Sequence, residues 1–309
     1  MTRTALLFPG QGSQKVGMGR SWAEAHPEAQ AIYDAAAEAL GFDIAKLCWE
    51  GPEGDLQLTT NTQPAILVTS VAIATVLAAR GFRFEAAAGH SLGEYSAHVA
   101  SGTLSIADAA RLVRRRGALM QEAVPVGVGA MAAILGLDAE QVRAVAAEAT
   151  NADEVCAVAN YNSNEQTVIA GHRPAVERAM ALAKERGAKR ALPLPVSAPF
   201  HCELMGPARL GLAPDLAATS FREPAVPVVV NIDARPVTAA DAARDALVRQ
   251  IDGPVRWVES VRHMHEELGV GRFVEVGPGS VLTGLVKRIV PEAEAISVAE
   301  PDGMAKIGL

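Results

Sequence analysis

The spacing of apolar and polar positions changes several times along the chain, and each change marks an element. "TALLFPGQGSQ" (4–14) is a short apolar run ending at Pro9-Gly10, the pattern of a buried strand entering a glycine loop. "NTQPAILVTSVAIATVLAARG" (61–81) predicts a helix that Gly81 ends. "FRFEAAAGH" (82–90) predicts a short strand, and "SLGEYSAHVASG" (91–102) a helix stopping at Gly102. From Gly127 to Ser197 the rhythm shifts. "GAMAAILGL" reads as a strand, "DAEQVRAVAAEA" as a helix, "VCAVANYNS" and "QTVIAG" as strands, "RPAVERAMALAKERGA" as a helix and "KRALPLPVS" as a last strand. That order is βαββαβ, the split pattern of a ferredoxin-like unit. The chain returns through "VPVVVNID", a helix near 239–250, a helix in "VRWVESVRHMHEELG", a strand in "RFVEVGPG" and a helix in "SVLTGLVKRIV".

Alternating strands and helices predict an α/β fold with a mostly parallel sheet covered on both faces. The expected division is a larger domain of residues 1–126 and 198–309, interrupted by a small ferredoxin-like domain of residues 127–197. Half of the 309 residues are hydrophobic but only 4% are aromatic, so the alanine-rich helices are expected to pack closely through small side chains. A net charge of -7 argues against a broad nucleic-acid footprint, while leaving room for local basic patches. Three cysteines, Cys48, Cys156 and Cys202, are odd in number and far apart, which fits reduced thiols better than disulfides or a metal site. The apolar run before Pro9 is too short for a signal peptide or a membrane span. The expectation is a cytoplasmic protein with no bound metal, nucleic acid or membrane partner, acting as a monomer.

In "AAAGHSLGEYSA" (86–97) Ser91 stands between Gly89 and Gly93. A strand, a sharp turn and a helix here would make a nucleophile elbow, with the Leu92 N–H at a helix start facing a developing oxyanion. A plain glycine turn with a capping serine fits the local residues equally well. A serine nucleophile needs a base. His90 is adjacent on the turn, His98 lies along the same helix, and His265 shares an apolar face with Trp257, Val261, Met264 and Leu268. His201 ends "LPVSAPFH", where Pro199 stops a strand and a loop begins, the place where side chains with chemical roles collect in α/β sheets.

An arginine in an apolar stripe is the second notable feature. On a helical wheel of "SIADAARLVRRRGALMQEA" Arg116 falls in the middle of the face formed by Ile106, Ala109, Leu112, Val113, Leu119 and Met120, whereas Arg111, Arg114 and Arg115 fall outside it as a solvated basic face. Arg116 therefore needs a buried anion, either a structural Asp or Glu or a substrate carboxylate held bidentately. Gln250 ends a helix before "IDGP", so its main-chain oxygen is open to an imidazole N–H, or it is simply a helix-terminal glutamine.

"FPGQGSQ", "NTQPA", "GHSLGEYSA", "RRRGALMQEA", "GAMAAI", "VSAPFHCELM", "ALVRQI" and "EVGPGSVLTGLVKR" occur in the order found in malonyl-CoA:acyl carrier protein transacylases, and the resemblance covers nearly the whole chain. It implies an α/β-hydrolase-like core with an inserted ferredoxin-like subdomain. Carried over by position, it implies Ser91 as nucleophile, His201 as base, Arg116 as clamp on the malonyl carboxylate, and the Gln11 and Leu92 N–H groups as oxyanion hole. Gln250 becomes the residue whose main-chain carbonyl orients His201, Gln63 a neighbour of the pocket, and Phe200 a bulky residue crowding a methyl branch. The reaction implied is ping-pong malonyl transfer from malonyl-CoA, as substrate, to the phosphopantetheine thiol of holo acyl carrier protein, with no bound cofactor. Competing readings are a transferase serving a polyketide synthase or malonate decarboxylase, and a serine esterase or thioesterase, which would want a carboxylate behind its histidine. Basic groups open to an acidic carrier are Lys184, Arg186, Lys189 and Arg190, or Lys287 and Arg288; solvated surface charge explains them as well.

Overall fold

A computed structural model describes residues 2–309. Its strands are β1 (Arg3–Phe8), β2 (Ala86–Gly89), β3 (Gly129–Leu135), β4 (Cys156–Ser163), β5 (Gln166–His172), β6 (Arg190–Pro193), β7 (Val228–Val230), β8 (Arg235–Val237), β9 (Val270–Val276) and β10 (Glu294–Val298). Six of them form one sheet in the order β10-β9-β1-β2-β7-β8. Every pair is parallel except β7 with β8. The central strand β1 shows why. Its Ala5, Leu6, Leu7 and Phe8 are all buried, a continuous apolar run that only a sheet covered on both faces can bury. Leu6 and Phe8 pack into the core around the helix Thr59–Ala79, whereas Ala5 and Leu7 face Trp257, Val261 and Val286 on the other side.

The helix Thr59–Ala79 is long and apolar enough to cross a bilayer, but sixteen of its 21 residues are buried inside the protein. It is a core helix, apolar all round because it is enclosed all round. The helix Ile106–Glu122, capped by the Ser105 hydroxyl, lies against it. Gly117 makes that approach possible, since a Cβ there would sit 2.7 Å from the carbonyl oxygen of Thr59.

The second sheet has the order β4-β5-β3-β6 and is antiparallel throughout. With its helices Ala139–Ala149 and Arg173–Glu185 it follows the expected βαββαβ sequence. Period-two alternation gives the sheet two apolar faces. Ala132, Ile134 and Ile169 pack on its own helices, and Met131, Ala133, Val168 and Ala170 join the core of the larger layer. Main-chain bonds from Tyr161 N–H to Val255 O (2.9 Å) and from Val255 N–H to Ala159 O (2.8 Å) tie β4 to the segment before the helix Trp257–Glu266.

Two strands are shorter than their sequence pattern suggests. The run 82–90 is strand only over Ala86–Gly89, and 189–197 only over Arg190–Pro193, where Pro193 and Pro195 lack the N–H that a ladder needs. Strands β8 and β10 lie outside the expected set. Both are edge strands with few buried residues, so neither carries a strong apolar run.

Replacing Gly117 with valine should push the two core helices apart and cost about 1–3 kcal/mol of stability. Urea unfolding measures this, and an unchanged midpoint would mean that the close approach is not needed.

Candidate active site

Strands β1 and β2 are neighbours in parallel, with Phe8 opposite Gly89, so the loops after them leave the sheet side by side at its carboxyl edge. One loop carries Gln11 and the other Ser91. After Gly89 the chain turns sharply into the helix Gly93–Ala100. A Cβ on Gly89 would lie 1.9 Å from the Gly93 carbonyl carbon, and one on Gly93 would lie 2.1 Å from Phe8 O, so both positions exclude any side chain. Ser91 has φ 54, a left-handed conformation that residues other than glycine rarely adopt. This strained strand–turn–helix geometry is the kind found at a nucleophile elbow, more than a plain capping turn requires.

His201 also has a left-handed backbone, with φ 60, just after the loop residue Pro199. Its Nε2 lies 2.7 Å from Ser91 Oγ. Its Nδ1 lies 3.1 Å from both Gln250 O and Gly253 O. Carbonyl oxygens only accept, so Nδ1 carries the hydrogen and the lone pair of Nε2 is left to receive the Ser91 hydroxyl proton. Burial pushes the His201 pKa down to about 3; Arg116 and His90 push the same way, and the two carbonyls oppose them. His201 is thus a neutral imidazole with a fixed tautomer, and both partners of its Nδ1 are main-chain oxygens rather than a carboxylate. None of the remaining candidates hydrogen-bonds Ser91. His90 Nε2 meets Asn162 Oδ1 at 2.8 Å, His265 Nδ1 meets Val270 O at 2.8 Å, and His98 is fully buried, with its pKa held down to about 3 by desolvation.

Arg116 is 2% exposed, and its guanidinium points at the serine. NH1 donates to Gln63 Oε1 at 2.9 Å; NH2 donates to Gln250 Oε1 at 2.9 Å and to Ser91 Oγ at 3.1 Å. Its Nε has no hydrogen-bond partner, and among the described residues no Asp or Glu forms an ion pair with it. Desolvation lowers its pKa, but an arginine stays cationic even so. Its hydrogen bonds go only to neutral oxygens, while the Tyr95 ring 5.7 Å away and the charge of the buried Glu94 carboxyl, with which it forms no ion pair, favour the cation from a distance. Its open donor suits an anion from outside. The flanking arginines differ from one another. Arg111 and Arg115 are exposed and paired with Asp108 and Asp215, as a solvated face predicts. Arg114 departs from that expectation: it is half-buried, stacks 4.4 Å from the Phe42 ring centre and donates to Asn61 Oδ1 at 2.9 Å.

All but one of the residues that the resemblance gives a role line one cavity of about 410 Å³: Gln11, Gln63, Ser91, Leu92, Arg116, Phe200 and His201. The exception is Gln250, which sits behind the wall and reaches it by hydrogen bonds. Gln11 Nε2 donates to Thr59 Oγ1 at 3.2 Å, and neither the Gln11 nor the Leu92 N–H is bonded within the protein among the described residues. A neighbouring cavity of about 530 Å³ shares Gln11 and His90 and extends to Arg288. Burial pushes Cys48, Cys156 and Cys202 each up to about 12, so all three stay thiols.

The sequence pattern passed over several groups. Asn231 holds the Ser91 N–H, Gly253 supplies a second carbonyl to His201, and the Gln250 side chain touches both Arg116 and Ser91 O. Glu94 is fully buried and its pKa is raised to about 7 by burial, opposed by its bond from Asn231 N. Only Glu94 carried a readable signal, a carboxylate inside the "GEYSA" helix start. As a whole, the site joins a hydroxyl, a neutral imidazole and a cation without an ion-pair partner around one cavity, which suits acyl transfer through the serine with an acyl group that bears a negative end.

Residues 5–306 match the family described as the acyl transferase domain. The chain is 52% identical over 306 residues to the malonyl CoA-acyl carrier protein transacylase of Escherichia coli (strain K12), an alignment covering 99% of this chain and 98% of that protein. Among solved structures it is similar to an acyl carrier protein S-malonyltransferase from Vibrio cholerae, with TM-score 0.96, 47% identity, and 99% and 100% of the two chains covered. A malonyl-transacylase in complex with its type II PKS acyl-carrier protein matches with TM-score 0.95 and 47% identity, over 99% and 98% of the two chains. Aligned end to end with these enzymes, the chain belongs to the acyl transferase family, among the malonyl-CoA:acyl carrier protein transacylases.

Proposed function

We propose that this chain transfers the malonyl group of malonyl-CoA to the phosphopantetheine thiol of holo acyl carrier protein by a ping-pong mechanism, with Ser91 as covalent carrier. The observation that carries this reading is the buried Arg116, without a counter-anion and 3.1 Å from Ser91 Oγ. Ser91 Oγ attacks the thioester carbonyl as His201 Nε2 takes its proton, and the oxyanion forms against the Gln11 and Leu92 N–H groups. Collapse of the tetrahedral intermediate expels the coenzyme A thiolate, which takes the proton from His201. The carrier thiol then enters, gives its proton to His201 and attacks the ester, and the released Ser91 oxygen is reprotonated.

Arg116 binds the malonyl carboxylate bidentately, held in place by Gln63 and Gln250. Gln250 O and Gly253 O keep His201 in the tautomer that can act as base. Phe200, only 8% exposed on the cavity wall, crowds a methyl branch on the acyl chain. We read residues 127–197 as a subdomain whose Met131, Asn160 and Leu194 close the cavity opposite the elbow. Arg190 and Arg288 line one groove of about 440 Å³, which favours this side for an acidic carrier; Arg186 and Lys189 are already paired with Glu148 and Glu165. Reduced buried thiols fit a cytoplasmic protein, and we take the monomer as the working unit. The same chemistry would serve a polyketide carrier, a reading favoured by the similar transacylase in complex with such a carrier. Transfer rates to fatty-acid and polyketide carriers, measured side by side, separate the two.

Ser91→Ala should abolish the malonyl adduct seen by intact mass spectrometry after incubation with malonyl-CoA; a persisting adduct would refute the nucleophile. Arg116→Ala should weaken malonyl transfer by about 2–5 kcal/mol of transition-state binding while acetyl transfer is kept or raised. Equal loss on both substrates would sink the clamp. The neutral form of His201 persists as pH falls until its own pKa is reached, and that value is depressed to about 3. The acid limb of kcat/KM for malonyl-CoA should therefore lie well below pH 6.5, and a limb at 6.5 would contradict the buried base.

A further inference from the structure

The peptide groups on both sides of Ser91 are held by carboxamides. Gln250 Nε2 donates to Ser91 O at 3.1 Å. On the other side, Asn231 Oδ1 accepts the Ser91 N–H at 2.7 Å while Asn231 Nδ2 donates to Gly89 O at 2.7 Å. One side chain therefore spans the two residues flanking His90, at the point where the backbone leaves the sheet. Strand β7, which pairs in parallel with β2, ends one residue earlier, so the Asn231 amide continues the ladder that the elbow breaks. Only a side chain that is donor and acceptor at once can do this.

Asn231 is itself anchored. Its N–H donates to Glu94 Oε2 at 2.7 Å, and its carbonyl accepts Arg256 N–H at 3.1 Å. Both Asn231 and Glu94 are fully buried. Glu94 lies in the first turn of the helix that follows Ser91, and the Glu94 N–H donates to Ser91 O at 3.0 Å. The contacts close a ring from turn to helix to strand end and back to the turn. A left-handed residue that is not glycine persists only where its surroundings over-determine it, and this ring supplies that constraint at the residue bearing the hydroxyl.

We propose that Asn231 is a positioning residue for acyl transfer, whose Glu94-anchored carboxamide holds the Ser91 backbone in the left-handed turn that sets Oγ against His201 Nε2. This rests on Ser91 being the nucleophile. Asn231 lies outside the residues that line the 410 Å³ cavity, so it acts on placement of the hydroxyl and leaves malonyl-CoA binding alone.

The test uses Asn231→Ala and Asn231→Ser, each checked for folding by thermal unfolding. Three readouts are taken: single-turnover acylation by malonyl-CoA, inactivation by the small serine reagent phenylmethylsulfonyl fluoride, and the Kd for malonyl-CoA measured in a Ser91→Ala background. For Asn231→Ala, acylation and sulfonylation should both slow by about 100-fold while Kd moves by less than about threefold. Asn231→Ser, which keeps a shorter hydroxyl, should lose about tenfold. A folded Asn231→Ala protein that reacts at the parent rate overturns the proposal, as does a loss that follows Kd. Failure of both variants to fold also overturns it, since Asn231 would then act on stability alone. An adduct that survives in Ser91→Ala identifies failure of the nucleophile reading instead.

Discussion

A cation without a counter-ion organises this molecule. Taking a guanidinium out of water costs several kcal/mol unless charge or dipoles replace its hydration, and here the Tyr95 ring and the charge of buried Glu94 act alongside three hydrogen-bonding neutral oxygens. These oxygens come from three different elements: Gln63 from the long core helix, Gln250 from the end of the helix Ala240–Gln250, and Ser91 from the elbow. The close helix contact at Gly117, one residue from the arginine, brings the helix that carries Gln63 against it. The site is therefore preorganised for negative charge, and a carboxylate entering the cavity completes a coordination that the protein leaves open.

The same cation bears on the base. Arg116 adds to burial in holding His201 neutral, and the two carbonyls on Nδ1 fix its tautomer without adding a full negative charge. A carboxylate bound to Arg116 would cancel that positive influence and make His201 more basic as the acyl group arrives. Serine esterases place a permanent carboxylate behind the histidine; here the anion belongs to the proposed substrate, which gives the electrostatics a reason to favour malonyl over neutral acyl groups. Two left-handed residues, Ser91 and His201, meet at 2.7 Å, and amides or carbonyls from neighbouring elements hold both.

Much of this is legible along the chain because steric and periodic requirements are local. Gly89 and Gly93 must be glycine for β2 and the next helix to approach within contact distance, so the motif is visible in five residues. Arg116 is visible because it breaks a helical stripe, and the small sheet because its strands alternate and its helices do not. Arg114 was misread by the same wheel. The wheel reports angle on one helix, and what half-buries this side chain is Phe42 from another element. The edge strands β8 and β10 escaped notice because an edge needs little apolar sequence.

What the sequence determines by itself is the inventory: a serine on a glycine-flanked turn between strand and helix, an arginine on a buried face, and a histidine beyond a proline-rich strand end. The tertiary structure decides which neutral groups surround them. That Gln250 serves His201 with its backbone while its side chain joins Arg116 to Ser91, that Asn231 replaces a lost rung of the ladder, and that no carboxylate pairs with Arg116 among the described residues all depend on contacts between residues 25 to 159 positions apart. Periodicity has no memory over such separations. Hydrogen bonds between uncharged amides leave no compositional mark, so only the folded chain can reveal them.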